Sequence, residues 1–203
     1  MKNILSIVLV VALCSSLSMA GPLSFGVQAT GGSISVSGSF KDVYSTGFGG
    51  GAHIDLDLPI LIGLRVSGDY VVFSPDQGKY RQALATLVPG SSVDGFSIDG
   101  GSIRILALSV NGKLALPTPV LSPYLTAGVG MASFSGGSIS VSYNGQPLGQ
   151  TPGVSAETDP SINIGAGVDW KLILTLYLEA KYTVAFTSGS SSSFVLASLG
   201  ITF

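Results

Sequence analysis

Charged residues are scarce in this chain. Lysine and arginine together number 9 and aspartate and glutamate 11, so charged residues make up 10% of the 203, against roughly 25% in ordinary globular domains. Hydrophobic residues make up 46% of the chain, which is too many for a disordered protein. We infer that something other than water surrounds much of the folded surface. The formal net charge of −2 gives no basic surface, and we expect no nucleic-acid partner.

Cysteine is rarer still, and its single occurrence lies in a segment that predicts export. Residues 1–20 have a short positive start, an apolar core and the small-x-small ending SMA, which is the pattern of a cleaved secretory signal peptide. Cys14 would instead be the lipidated residue of a lipoprotein signal, but Leu13 stands where such a signal has a small residue. The apolar core is too short for a membrane anchor. The mature chain then has neither disulfides nor cysteine metal sites.

Long uncharged runs are missing even where the mature sequence is most apolar. The segment INIGAGVDWKLILTLYLEAKYTVAF, residues 162–186, contains four charges, and on a helix they would lie all around the circumference. On a strand all four fall on the odd face, while every even position is apolar. A single strand of this length, at ~3.3 Å per residue, is too long for one domain. We therefore predict two strands joined by a turn at Leu172 to Leu174.

The same alternation predicts six further strands. Their apolar phases are the odd residues of 25–29, 125–131 and 195–203 and the even residues of 48–58, 64–72 and 106–116. In the first strand the phase flips after Gly31-Gly32 to Ile34 and Val36, which predicts a β-bulge.

The connections between these strands alternate in length. Short turns lie at one end, and the longer segments 41–46, 74–101, 136–158 and 188–192 lie at the other, as in outer-membrane barrels. Hydrocarbon cannot satisfy an exposed strand edge, so the first strand has to pair with the last. We predict an all-β fold, an eight-stranded antiparallel up-and-down transmembrane β-barrel, formed by residues 21–203.

Three stretches carry a family resemblance. They are GAGVDWKLILTLYLEAKY (165–182), PYLTAGVGMASFS (123–135) and the terminal LASLGITF (196–203). They resemble the transmembrane domain of outer-membrane protein A and its small eight-stranded relatives. The resemblance implies a Gram-negative-type outer membrane and no cofactor. Phe203 resembles the terminal signal read by the outer-membrane insertion machinery, and it also suits an interfacial aromatic anchor.

Nine charged residues fall on the predicted inward face. They are Asp55, Asp57, Arg65, Asp69, Lys113, Asp169, Lys171, Glu179 and Lys181. The interior of an eight-stranded barrel is just wide enough for side chains to fill. Since the set contains five acids and four bases, it predicts a salt-bridged polar core. The alternative is a narrow or gated ion path.

One internal similarity joins two of the predicted hairpins. Residues 51–66 align without gaps on residues 165–180, so that Asp55 matches Asp169 and Arg65 matches Glu179. Either the two hairpins arose by duplication, or any two barrel hairpins look alike.

Two single residues suggest chemistry. His53, the only histidine, faces inward beside acids, which predicts a hydrogen-bonded lumen residue. A catalytic His–acid–Ser grouping would instead make the protein a lipid-modifying enzyme. Arg104 shares the outward phase, where it could reach lipopolysaccharide phosphates at headgroup level. Alternatively, Arg104 precedes the strand and belongs to a loop.

Two of the longer connections predict structure of their own. Residues 78–90 predict a short helix over the barrel mouth. Residues 138–149 alternate in polarity before Asn144-Gly145, which predicts a hairpin above the membrane.

The leading hypothesis is a monomeric, non-enzymatic outer-membrane barrel with a structural or surface-interaction role and a largely closed polar lumen. Its expected partners are outer-membrane lipids, lipopolysaccharide and the insertion machinery. The alternatives are a small low-conductance pore and an outer-membrane lipid-modifying enzyme. A soluble secreted barrel would require the apolar phase to point inward.

Overall fold

The computed structural model describes residues 23–35, 44–58, 61–87, 95–153, 155–187 and 190–203. The predicted signal peptide, residues 1–20, lies outside these ranges. So do Val36 and residues 88–90, the end of the predicted helix. Within the described ranges, none of the helices has the length and apolar character needed to span a bilayer.

Eight antiparallel strands close into a barrel, which confirms the predicted fold class. The strands follow one another around the barrel in chain order, and the last strand pairs with the first. They are β1 (Leu23–Ser35), β2 (Gly47–Asp57), β3 (Ile62–Phe73), β5 (Ile103–Ala115), β6 (Leu121–Gly136), β9 (Glu157–Lys171), β10 (Thr175–Thr187) and β11 (Ser190–Thr202). Because Gly26 pairs with Thr202 and Ser35 with Ser193 at the two ends of the seam, no barrel strand among the described residues has an open edge.

The two faces of the barrel wall have the polarity that the alternation predicts. Outward side chains such as Leu108, Val129 and Leu199 are 54%, 64% and 61% exposed. Inward side chains such as Asp55 and Arg65 are each 2% exposed. The apolar residues therefore surround a polar interior, the inverse of a water-soluble barrel.

The predicted turn at 172–174 is confirmed. Lys171 pairs with Thr175, and the three residues between them form the bend. The predicted β-bulge at Gly31-Gly32 is wrong, because β1 keeps one continuous register with β2 and with β11 through these glycines. Ile34 consequently points inward and is buried.

Ile34 belongs to an apolar cluster that fills the barrel at the loop end. This cluster, the apolar plug, consists of Ile34, Val71, Phe73, Ile105, Ala132, Ala185, Phe194 and Leu196. At the same end several outward positions are polar, namely Ser33, Arg104, Ser133, Ser135, Ser191 and Ser193, while Phe48 and Phe186 remain 71% and 47% exposed. The interior is therefore apolar at this level, and the outer wall carries both polar and aromatic residues.

A small assembly stands on the loop side of the barrel. It contains α1 (Gln77–Leu87) and a three-stranded sheet of β4 (Phe96–Gly100), β7 (Ile139–Tyr143) and β8 (Gln146–Thr151). The helix and the hairpin were predicted and are confirmed, whereas β4 was assigned to a loop. Asp76 caps the helix by accepting hydrogen bonds from the backbone N–H groups of Gly78 and Lys79.

Tyr44 connects this assembly to the barrel, because it packs against the apolar plug and against the cluster that contains Tyr80 of α1. Tyr44 and Tyr80 pack with Ile98 and Ile139. Burial raises the pKa of both hydroxyls, so both remain neutral within this apolar contact.

Candidate functional site: the charged lumen

Seven buried charges form one continuous chain of ion pairs across the lumen. In order they are Asp169, Lys113, Asp55, Arg65, Glu179, Lys181 and Asp69, so that acids and bases alternate. Each of these seven side chains is at least nine-tenths buried. Alternation of this kind makes burial of the charges tolerable, since every cation lies between two carboxylates.

Arg65 is the centre of the chain. Its Nε and Nη2 atoms donate to both carboxylate oxygens of Asp55 at 2.6 and 2.7 Å, a bidentate geometry. Its Nη1 atom donates to Oε2 of Glu179 at 2.6 Å. Tyr124 closes this arrangement, because its hydroxyl donates to the same oxygen at 2.9 Å and its ring lies 5.2 Å from the guanidinium carbon. Asp55 and Arg65 are directly paired across β2 and β3, which fixes their approach.

Two lysines extend the chain toward the two ends of the barrel. Lys113 donates to Oδ2 of Asp55 at 3.0 Å and to Oδ2 of Asp169 at 2.9 Å. Lys181 lies 3.6 Å from Glu179 Oε1 and 3.5 Å from Asp69 Oδ2.

The other two charges of the predicted set lie elsewhere. Asp57 and Lys171 are exposed at the turn end of β2 and β9, where they line a pocket beside Lys113 and Asp169. The parity argument predicted both residues as members of the lumen network, whereas neither joins the ion pairs of the described residues.

The predicted set also omitted neutral residues that complete the lumen. Gln28 donates to Asp69 and accepts a hydrogen bond from Tyr177. Tyr177 also lies beside Arg65, with the ring centroid 5.2 Å from the guanidinium carbon. The sequence could have indicated Tyr124 and Tyr177, because both lie at inward-facing positions and a buried tyrosine hydroxyl needs a hydrogen-bond partner.

His53 is buried and hydrogen-bonded. Its Nδ1 atom lies 3.2 Å from both Gln28 Oε1 and the Tyr177 hydroxyl, and its Nε2 atom lies 3.1 Å from the Thr202 hydroxyl. Neither ring nitrogen contacts a carboxylate or a serine in these pairs. Among the described residues, no group of three or more histidine, cysteine, aspartate or glutamate side chains is arranged to hold a metal ion.

The two similar hairpins face each other across the lumen. β2 and β3 are diametrically opposite β9 and β10 in the barrel order. Arg65 and Glu179, which are aligned positions, form an ion pair, and the aligned Asp55 and Asp169 both bind Lys113. The aligned residues of the two hairpins therefore belong to one ion-pair network.

Two further predicted residues lie on the wall itself. Arg104 is exposed in β5, so it belongs to the strand and not to the preceding loop. Phe203 closes the seam, because its backbone N–H donates to Phe25 O at 2.8 Å and its carbonyl accepts from Phe25 N–H at 3.4 Å.

Solved structures with this architecture were found. Neisserial surface protein A aligns over 90% of this chain and 96% of its own, with 14% identity and a TM-score of 0.56. The chain shares the fold of this small barrel. A major outer membrane protein from Thermus thermophilus aligns over 89% of this chain and 98% of its own, with 16% identity and a TM-score of 0.53. These matches confirm the resemblance to small eight-stranded barrels at the level of fold. No protein-family model matches the chain, and the comparison with curated proteins gives no match.

Proposed function

We propose that this protein is a non-enzymatic integral outer-membrane β-barrel that reinforces the cell envelope or presents its loop assembly at the surface, with a lumen closed to ions. The observation that carries the proposal is the combination of an apolar outer wall with a lumen filled by ion pairs and sealed by the apolar plug.

The height of the apolar band supports the membrane location. On β6 the outward apolar positions run from Leu121 to Met131 and end before Ser133. The ten residue steps between them at ~3.3 Å each, tilted by roughly 40°, give a band about 25 Å tall, as in outer-membrane barrels. Such a belt exceeds the apolar patches that soluble monomers expose. The remaining alternative, a soluble secreted barrel, requires these side chains to point inward, which they do not.

Lipids are the first partners that this surface predicts. An apolar groove of about 830 Å³ crosses the outer wall from β1 to β6, with Ala52 and Gly68 among its small residues. The exposure of Arg104 at the loop end of β5 supports contact with lipopolysaccharide phosphates. The predicted signal peptide and Phe203 support export and recognition by the insertion machinery, and a monomer suits a barrel that pairs its own edges.

Two features favour a closed lumen over the small-pore alternative. The ion-pair chain occupies the centre, and the plug residues Phe73, Ile105 and Phe194 are at most 1% exposed. The lipid-modifying alternative lacks support in the surroundings of His53, whose partners are neutral.

The test is to refold residues 21–203 into detergent and then into planar bilayers. We expect a heat-modifiable band, faster on gels before boiling than after, and no conductance steps over the voltage range. A chain that folds without detergent or that conducts would contradict the proposal. An acyl-transfer or lipid-hydrolysing activity that disappears in a His53→Ala variant would show that the protein is an enzyme.

A further inference from the structure

The lumen is chemically asymmetric. Among the described residues, seven buried side-chain nitrogen or oxygen atoms have no hydrogen-bond partner, and six of them lie on the neighbouring strands β5, β6 and β9. The six are Asn111 Oδ1, Thr126 Oγ1, Asp159 Oδ2, Asn163 Oδ1, Asn163 Nδ2 and Asp169 Oδ1. The five residues that bear them, here called the polar row, are each buried to at least nine-tenths.

Glycines bring these polar groups together. Gly128 pairs with Asn111 on one side and with Asn163 on the other. A Cβ at Gly128 would lie 2.3 Å from Asn111 Oδ1, and a Cβ at Gly165 would lie 2.6 Å from Thr126 Oγ1. Since neither glycine has a side chain, Asn111 Oδ1 and Thr126 Oγ1 occupy the space above the neighbouring strand.

Buried polar groups of this kind are satisfied by water, which forms about three hydrogen bonds per buried molecule. Five of the six unpartnered atoms are oxygens, and the row ends in the carboxylates of Asp159 and Asp169. Asp169 binds Lys113 through Oδ2 and leaves Oδ1 toward the row, and Asp159 takes part in none of the ion pairs of the described residues. These oxygens favour cations over anions. The row therefore has the chemistry of a hydrated path for small cations.

The two ends of the polar row differ. At the turn end a pocket of about 290 Å³ reaches Asp169, Lys113 and Ser122. At the loop end Asp159 pairs with Ala132, a member of the apolar plug. An apolar constriction stops ions by excluding water, so the path has an entrance and a barrier.

We propose that the polar row holds a file of water molecules that admits small monovalent cations from the turn end, and that the apolar plug alone stops this path from crossing the barrel. The ion-pair chain fills the centre of the lumen and shares only Asp169 with this row. The inference goes beyond the proposed function, because it assigns a latent conduction route to a barrel that is closed in its native form.

The test compares plug variants with the unmodified chain in planar bilayers containing a potassium chloride gradient. We expect Phe194→Ser and Leu196→Ser to produce conductance steps with a reversal potential on the potassium side, while the unmodified chain stays silent. Heat-modifiable migration identifies the variants that fold. If a folded plug variant is silent, or passes chloride as well as potassium, the inference is wrong.

A matched pair of near-isosteric changes then locates the path. In a conducting plug variant, Asn163→Leu should reduce the conductance by about tenfold, because it removes a polar member of the file. Thr30→Val removes a buried hydroxyl on the opposite wall, where Thr30 contacts Ser198 at 3.1 Å, and should leave the conductance unchanged. Equal effects of the two changes would overturn the assignment.

A measurement on the unmodified chain does not depend on whether the variants fold. Nuclear magnetic resonance in micelles should show transfer of magnetisation from bound water to the side-chain amides of Asn111 and Asn163. Absence of that transfer would overturn the proposed file. Conductance of the unmodified chain would instead contradict the closed lumen of the proposed function, so the two failures are distinguishable.

Discussion

At the scale of single residues, the lumen is stabilised by the alternation of charge along one chain of contacts. Parity in the sequence predicted which residues point inward, because side chains alternate faces on a strand. It could not predict that Arg65 binds both Asp55 and Glu179, since the latter pair joins strands far apart in sequence. That pairing depends on the closure of the barrel and the relative register of eight strands.

Replacing Arg65 tests the importance of this centre. Arg65→Ala leaves Asp55 and Glu179 buried without their shared cation, and we expect a loss of about 3–5 kcal/mol in the free energy of unfolding. Urea unfolding of the refolded barrel, followed by the fluorescence of Trp170, measures the loss. Lys171→Ala, at an exposed position, is the control and should change stability by no more than about 0.5 kcal/mol. A loss of similar size in both variants would contradict the account.

His53 depends on the absence of a side chain at Gly26. A Cβ at Gly26 would lie 2.1 Å from Cε1 of the His53 ring, and the ring is held by hydrogen bonds on both nitrogens. We expect Gly26→Ala to cost about 1–3 kcal/mol through overpacking, measured by the same unfolding assay.

Gly112→Ala is the matched control for this change. A Cβ at Gly112 would meet only the carbonyl oxygen of Ala127, at 3.8 Å. We therefore expect the Gly112→Ala variant to be as stable as the unmodified protein. If Gly26→Ala is as stable as Gly112→Ala, the packing of His53 against Gly26 does not matter to the fold.

At the scale of elements, two kinds of sequence signal were sufficient. Period-two alternation predicted the eight barrel strands, and Asn144-Gly145 predicted the turn between β7 and β8, where both residues have positive φ, 48° and 79°. β4 was missed because Phe96–Gly100 pairs with β7 from a long connection, and such a short strand has little pattern of its own. The bulge was predicted wrongly because a change of apolar phase was interpreted as a change of register. In the structure Ile34 keeps the register of β1 and lies in the apolar plug rather than among polar lumen residues.

The turn at Gly145 can be tested in isolation from the barrel. A Cβ at Gly145 would meet nothing within 4 Å, so Gly145→Val costs only the backbone strain of a positive φ, about 1–2 kcal/mol. We expect faster amide hydrogen exchange in β7 and β8 with unchanged exchange in β9 and β10.

Gly149→Val provides the control, because Gly149 also has open space around its Cβ position but no positive φ. Faster exchange in this variant to the same degree would show that strain at the turn is not the cause.

At the scale of the whole molecule, one inversion of polarity explains the composition. The outer surface needs few charged residues because its apolar band faces lipid. The charged residues of the ion-pair chain are enclosed in the lumen. At the loop end the interior becomes apolar, and serines appear among the outward residues. The alternation in the sequence predicted the apolar outer wall and the polar interior. It did not show where the apolar band ends, because the end of the band is visible only when the phases of several strands are aligned.

The most direct test of this account is the environment of single spin labels. Since residues 21–203 contain no cysteine, one introduced cysteine at a time reports one position. Labels at Val129, Leu178 and Leu199 should be accessible to oxygen dissolved in the bilayer and protected from a water-soluble nickel relaxant, whereas a label at Ser193 should show the reverse. If the relaxant reaches Leu178 and Leu199 and oxygen does not, the apolar wall does not face lipid, and the central claim is wrong.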